Sequence, residues 1–349
     1  MKAAELPGAS AESEDRIGFL FAVLGRQSDA ISHFEKSLSL RRNYAPAHYH
    51  LGVARWLATD VNGGLEELES AVKLSPAVFD YRYRLGSAYL EIGRFEQAAS
   101  ELKAAVAIDK TQAAASRALD QARNSYAAQL IETREPDRAI EESQKVLAHD
   151  PANDAAQMNI GYAYLKMGEF NKAEKAYRAA LANDPKSPAA HYDLAIALKM
   201  QDQLAAAQKE LEETIQLDPS LAEAHYTLGI TNWQSGDFPA TIREMKAALA
   251  IRAEYAEAHY MLGIVLKQTG DLDGALPELR EAIRLDPSTP GPFNTLGQIL
   301  RIKGDKQGSE EAFATGARLK REKEGQLANT LEQGMRGGTF PKPLAAPPR

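Results

Sequence analysis

The sequence predicts an all-α, right-handed superhelical solenoid of stacked antiparallel helix pairs, and three observations predict it. A boundary residue recurs at Arg42, Pro76, Lys110, Pro151, Pro185, Pro219, Ala253, Pro287 and Arg321, always 34 residues apart except for one gap of 41. Ten residues past these boundaries stand Gly52, Gly86, Gly161, Ala195, Gly229, Gly263 and Gly297, and the same slot counted back from Arg42 holds Gly18. Finally, each period carries two helix-length apolar patterns and no alternating β-type run. Units of this kind pack on their neighbours, so the core grows along one axis.

Residues 220–253 illustrate the unit. A first helix is expected over about Leu221 to Gln234, with Ala224, Leu228, Ile230 and Trp233 among its apolar positions. Ser235-Gly236-Asp237 ends it, because Gly accepts a left-handed backbone and Asp caps the next helix. The second helix follows from about Phe238 to Ile251, with Ile242, Met245, Ala248 and Leu249 at three- and four-residue spacing. Asp-Pro at 150–151, 184–185, 218–219 and 286–287 closes units, since Pro cannot continue a helix. Gly25, Gly93, Gly168, Gly236, Gly270 and Gly304 fall in the inter-helix turn. The Gly ten residues past each boundary sits mid-helix at a cost of about 1 kcal/mol against Ala, which suggests close approach by another helix.

The gap of 41 places seven extra residues in the first helix of unit 111–151, about Thr111 to Thr133. Seven residues are about two turns, so the buried face is kept and a longer, projecting helix is expected; a seam between two blocks of units is the alternative. The expected organisation is a remnant or linker at 1–8, nine units over 9–321, a polar capping helix at 322–335 and a disordered Pro/Gly-rich tail at 336–349. Residues Lys2 to Pro7 read like the end of a preceding helix.

Composition bounds the function. Apolar residues make up 44% of the 349, enough to bury a core, and the formal charge of −7 argues against a nucleic-acid partner. Absence of Cys excludes disulfides and thiolate metal sites. No apolar run of 18 exists, so no membrane insertion is expected. The opening residues lack the apolar stretch of a secretory signal, and a cytoplasmic location is expected, with the periplasm left open should a signal have been removed.

The stretch Ile160-Gly161 to Pro185, with Ala five residues past the turn glycine and an Asp-Pro end, resembles the tetratricopeptide repeat. The resemblance covers residues 9–321. It implies a non-catalytic adaptor that holds an extended peptide or partner protein in a concave groove. It leaves open a second reading, the recognition arm of a larger enzyme such as a glycosyltransferase, and a third, self-association by end-to-end stacking of terminal helices.

No phosphate loop, zinc-protease motif, nucleophile elbow or dinucleotide fingerprint occurs, and neither catalytic residues nor a cofactor is expected. Asp271-Leu272-Asp273-Gly274 starts like a calcium loop but lacks the remaining ligands, so capping explains it better. His48, His191, His225 and His259 share one slot six residues past the boundary. Equivalent residues in successive repeats lie roughly 10 Å apart, too far to chelate one ion, so a packing role is expected.

Tyr49, Tyr83, Tyr192, Tyr226 and Tyr260 come one residue later, in a slot that the resemblance places in the groove. Seven residues further, a second slot on the same face runs Trp56, Leu90, Leu165, Lys199, Trp233, Lys267 and Arg301. Trp and Arg dominate binding hot spots, and the basic row favours an acidic peptide. The bland alternatives are ordinary packing tyrosines and a solvated charged face. The Lys and Asn clamp that the family uses for peptide carboxylates is absent: the matching slots hold Tyr49, Val53 and Arg84, or Tyr192, Ile196 and Thr227.

Overall fold

The computed structural model describes residues 10–336, with side chains as far as 329. The expected remnant at 1–8 and the tail from 337 onward lie outside the described residues. Among those described there are eighteen helices and no strand, as the 34-residue period predicts.

The chain divides into two compact units, 1–183 and 184–349. In the first, α1 (Ala11–Val23), α2 (Gln27–Leu40), α3 (Ala45–Leu57), α4 (Val61–Leu74), α5 (Phe79–Glu91), α6 (Phe95–Ile108), α7 (Ala113–Glu132), α8 (Pro136–Leu147), α9 (Asp154–Met167) and α10 (Phe170–Asn183) each pack on the next. The second is built likewise from α11 (Pro188–Lys199), α12 (Leu204–Leu217), α13 (Ala222–Gln234), α14 (Phe238–Ile251), α15 (Ala256–Gln268), α16 (Leu272–Leu285), α17 (Pro290–Ile302) and α18 (Lys306–Arg336). Helix α7 is a single 20-residue helix, against 12 to 14 in the other first helices. Helix α18 runs unbroken through the stretch expected to form a separate cap.

The mid-helix glycines meet the second helix of their own pair. A Cβ on Gly18 would lie 2.7 Å from the Phe34 ring, and one on Gly161 would lie 2.5 Å from the ring of Tyr177, which is fully buried. Gly86 faces Leu102 and Gly263 faces Leu279 in the same way. The pair α7–α8 solves the contact differently, with small Ala127 and Ser143 in the corresponding slots, both fully buried.

All nine inter-helix turns use a left-handed residue. Six are the glycines that the sequence marks, with φ between 73° and 90°. In the other three, Thr59, Arg134 and Asp202 hold φ of 66°, 66° and 61°, a conformation that costs an L-residue about 1–2 kcal/mol. The β-branched Thr59 is the worst suited of these.

In four repeats the histidine slot ties the first helix to the second through a glutamate, while Gln157 and Phe293 fill it in two others. His48, His191, His225 and His259 place Nδ1 2.5, 2.7, 2.9 and 2.6 Å from Glu67, Glu210, Glu244 and Glu278. Nε2 of His48, His191 and His259 faces the carbonyl oxygens of Arg42, Pro185 and Ala253. Arg82 sits between the same two kinds of acceptor, Pro76 O and Glu101. Helix α1 reverses the order, with Glu14 against His33 at 2.7 Å. The slot therefore locks first helix to second, as the packing reading expects.

Two stability outcomes follow. Thr59→Gly removes the left-handed strain and should raise the urea midpoint, by about 1 kcal/mol in free energy; an unchanged or lower midpoint would contradict it. His191→Arg should leave stability intact, whereas His191→Leu, which strands the half-buried Glu210, should cost about 1–3 kcal/mol in the same measurement.

Candidate functional site

The candidate residues of each unit stand on its first helices. In unit one, Tyr49 stacks on Tyr81 at 4.8 Å and Tyr83 on Phe79 at 5.6 Å. The Trp56 indole donates to Glu91 Oε2 at 3.0 Å, under the Arg84 guanidinium at 5.5 Å from the ring. Tyr49, Tyr83 and Trp56 all pack on one apolar cluster spanning α4, α5 and α6. Arg84 in turn reaches Glu91 at 3.5 Å, so the cation beside Trp56 is already matched.

In unit two the same slots are arranged differently. The Tyr192 hydroxyl lies 3.2 Å from Thr227 Oγ1. Tyr226 leans on Tyr255 at 5.0 Å, and the Tyr260 hydroxyl lies against Gly291, where a Cβ would come within 2.5 Å of it. Burial pushes the Tyr192 and Tyr226 hydroxyls above the usual phenol range. Trp233 donates from Nε1 to Gln268 Oε1 at 2.7 Å, the residue 35 positions on, as Trp56 does to Glu91. Tyr226, Trp233 and Tyr260 share one apolar cluster. Each ring is thus also a strut to the following repeat.

The three cations in the Trp233 row are not neutralised. The Lys267 ammonium donates to the Gln298 amide oxygen, and the Arg301 guanidinium lies 5.8 Å from the centre of the Phe313 ring. Lys199 is half-buried, and desolvation holds its ammonium below the usual lysine range. Among the described residues none of the three forms an ion pair, while Glu223, at the opposite end of α13, is matched by Arg252 at 2.6 Å. Positions ten residues apart on a helix are about 15 Å apart, so the basic row and the Glu223–Glu257 edge form two separate rims.

Two features escaped sequence reasoning. Asp193, on α11, is a half-buried carboxylate whose pKa desolvation pushes up to about 6; nothing in the local pattern distinguishes it from a surface Asp. Between α12, α13 and α14 there is a cleft of about 490 Å³ bordered by Gln208, Glu212, His225, Asn232, Asp237 and Glu244. It opens because Asn232 occupies the slot that holds Tyr89 and Tyr164 in other repeats. That signal was readable, since the slot is otherwise bulky in most units.

Among the described residues no three or more His, Asp or Glu gather to hold a metal, and no helix is long and apolar enough to cross a membrane. The family profile described as tetratricopeptide repeat matches residues 56–114, 127–188, 158–222, 192–252 and 226–290, more than half of the sequence, and the chain belongs to that family. Repeats of this family build scaffolds for protein contacts, and the chain is a scaffold of that general kind. No curated protein matches it. Similar solved structures include MamA, 26% identical, covering 47% of this chain and 96% of that one at a TM-score of 0.45. MamA 41-end from Desulfovibrio magneticus RS-1 is 21% identical, with 48% and 96% covered at 0.46. YrrB, titled a TPR protein with an unusual peptide-binding site, is 18% identical, with 51% and 91% covered at 0.45.

Asp193 carries a pH dependence. Its raised pKa means that the folded chain keeps a proton which the unfolded chain releases near pH 4. Stability attributable to this group is therefore present at low pH and lost as pH rises through about 6. Asp193→Asn should stabilise the protein at pH 7 by on the order of 2 kcal/mol and flatten the urea midpoint between pH 4 and 6. An identical pH profile in both proteins would refute this.

Proposed function

We propose that unit two grips an acidic, extended peptide that also carries an aromatic or other apolar side chain, along the first helices α11, α13, α15 and α17. The observation that carries this reading is the row Lys199, Trp233, Lys267 and Arg301, whose three cations have no carboxylate partner among the described residues. An unmatched, partly desolvated ammonium such as Lys199 gains more from a ligand carboxylate than a fully hydrated one would. Trp233, held by Gln268 and packed from below, offers a fixed ring face at little entropic cost. Tyr192, Tyr226 and Tyr260 supply the adjoining wall. The corresponding slot in unit one holds Trp56, Leu90 and Leu165 and no cation, and Arg84 nearby is already matched by Glu91. In this reading the protein is a non-catalytic adaptor.

A titration checks it. With Trp56→Phe leaving Trp233 as the fluorescent reporter, an acidic peptide containing Phe should quench or shift emission, and a basic peptide of equal length should bind at least tenfold more weakly. Affinity should fall as salt rises. Lys199→Gln with Lys267→Gln should weaken binding about tenfold or more, equivalent to about 1.4 kcal/mol, while Lys246→Ala on α14 changes little. Equal affinity for acidic and basic peptides would sink the reading.

A further inference from the structure

The first helix exposes a surface that the other first helices bury. Twelve residues past the boundary, Ala54, Ala88, Ala163, Ala197, Thr231, Val265 and Ile299 are 0 to 2% exposed, whereas Leu20 on α1 is 61% exposed. Three residues earlier, Leu51, Leu85, Leu194 and Leu262 are buried, and Ile17 is not. Those buried side chains pack on the second helix of the preceding repeat: Leu51 and Ala54 cluster with Ala30 and Phe34 of α2, and Leu85 and Ala88 with Leu65 and Leu68 of α4. Helix α1 has no such helix before it among the described residues. Phe19, Val23 and Leu24 extend the exposed stripe, and a hollow of about 210 Å³ beside it is bordered by Phe19, Ala22 and Leu57. A patch of this kind on a soluble chain marks an interaction surface.

We propose that this stripe joins two copies of the chain head to head, α1 antiparallel to α1 across a two-fold axis near Leu20. A two-fold contact sets the same patch against itself, so an apolar stripe meets an apolar stripe. No other described helix exposes two large apolar side chains within one turn; Leu40, Leu74, Ile108, Ile251, Ile302 and Leu327 stand singly. End-to-end stacking would instead set the stripe against α18, whose exposed stretch Lys320, Arg321, Glu322, Lys323, Glu324 is charged. Charge fits the two-fold arrangement as well. Arg16 is the charged side chain on the stripe and forms no ion pair. In an antiparallel pair centred on Leu20 it lies at the C-terminal end of the partner helix, whose last turn carries no basic residue and whose dipole attracts a cation. This inference is independent of the peptide groove in unit two.

The 349-residue chain should run in light scattering at twice 38.1 kDa at tens of micromolar. Leu20→Lys with Leu24→Lys should halve that mass and leave the helical circular dichroism unchanged, because both side chains are exposed in the monomer. The chain contains no cysteine, so Leu20→Cys introduces a single thiol. Mild oxidation should link this variant into a covalent dimer, while Lys175→Cys on α10 stays unlinked. A wild-type chain that remains monomeric at hundreds of micromolar overturns the proposal and assigns the stripe to a helix of another protein or to residues 1–9. A dimer that survives the double lysine change overturns it too.

Discussion

One close approach recurs in seven of the nine helix pairs: a glycine mid-way along the first helix, against a large residue on the second. Gly18 under Phe34, Gly86 under Leu102, Gly161 under Tyr177 and Gly263 under Leu279 leave no room for a Cβ without displacing a buried side chain. The cost of glycine within a helix, about 1 kcal/mol, is offset because the bulky partner then fills the crossing without a void. This contact fixes how closely the two helices lie. The left-handed turn residue fixes how the chain reverses between them, and the cation–glutamate pair fixes their relative rotation. Where one device changes, its partner changes with it, as Ala127 and Ser143 show in the pair containing the 20-residue α7.

The fold was legible because it rests on local, repeated choices. Period, mid-helix glycine, turn glycine and closing proline all recur in phase, and each states a backbone requirement that a reader can check without coordinates. The same reasoning had blind spots wherever a non-glycine residue accepts the cost. Thr59, Arg134 and Asp202 give no compositional hint of a positive φ, yet counting seventeen residues forward from Arg42 and Pro185, and seventeen back from Pro151, places each in the turn. The pairing of histidine with glutamate nineteen residues on was also present in the sequence. It becomes visible only once Arg82–Glu101 and Arg123–Glu142 are seen as the same pair with arginine in place of histidine.

The site was less legible, for a physical reason. Sequence spacing names the slot of Trp56 and Trp233 but not where their indole nitrogens point. Both point 35 residues ahead, to Glu91 and Gln268, so each ring is part of the inter-repeat packing as well as a surface. The tyrosines behave alike, with hydroxyls or ring faces set against the following repeat in Tyr192, Tyr226 and Tyr260. Asp193 could not be singled out at all, because its raised pKa comes from burial that only the packed helices create.

These bonds bear on how such a surface would discriminate between ligands. Aromatic side chains committed to the stack cannot reorient to suit a ligand, so they would supply a rigid wall whose shape is the same for every peptide. Rings of that kind add contact area with little entropic loss but little selectivity of their own. Selectivity then falls to the groups that the fold leaves uncommitted, and in unit two those are Lys199, Lys267 and Arg301, satisfied at best by an amide oxygen or a ring face. The two units differ on this point. Where unit one closes its row with Glu91 between Trp56 and Arg84, unit two has the neutral Gln268 in the same place. The larger difference lies in the slot itself, which carries Lys199, Lys267 and Arg301 in unit two and the uncharged Leu90 and Leu165 in unit one.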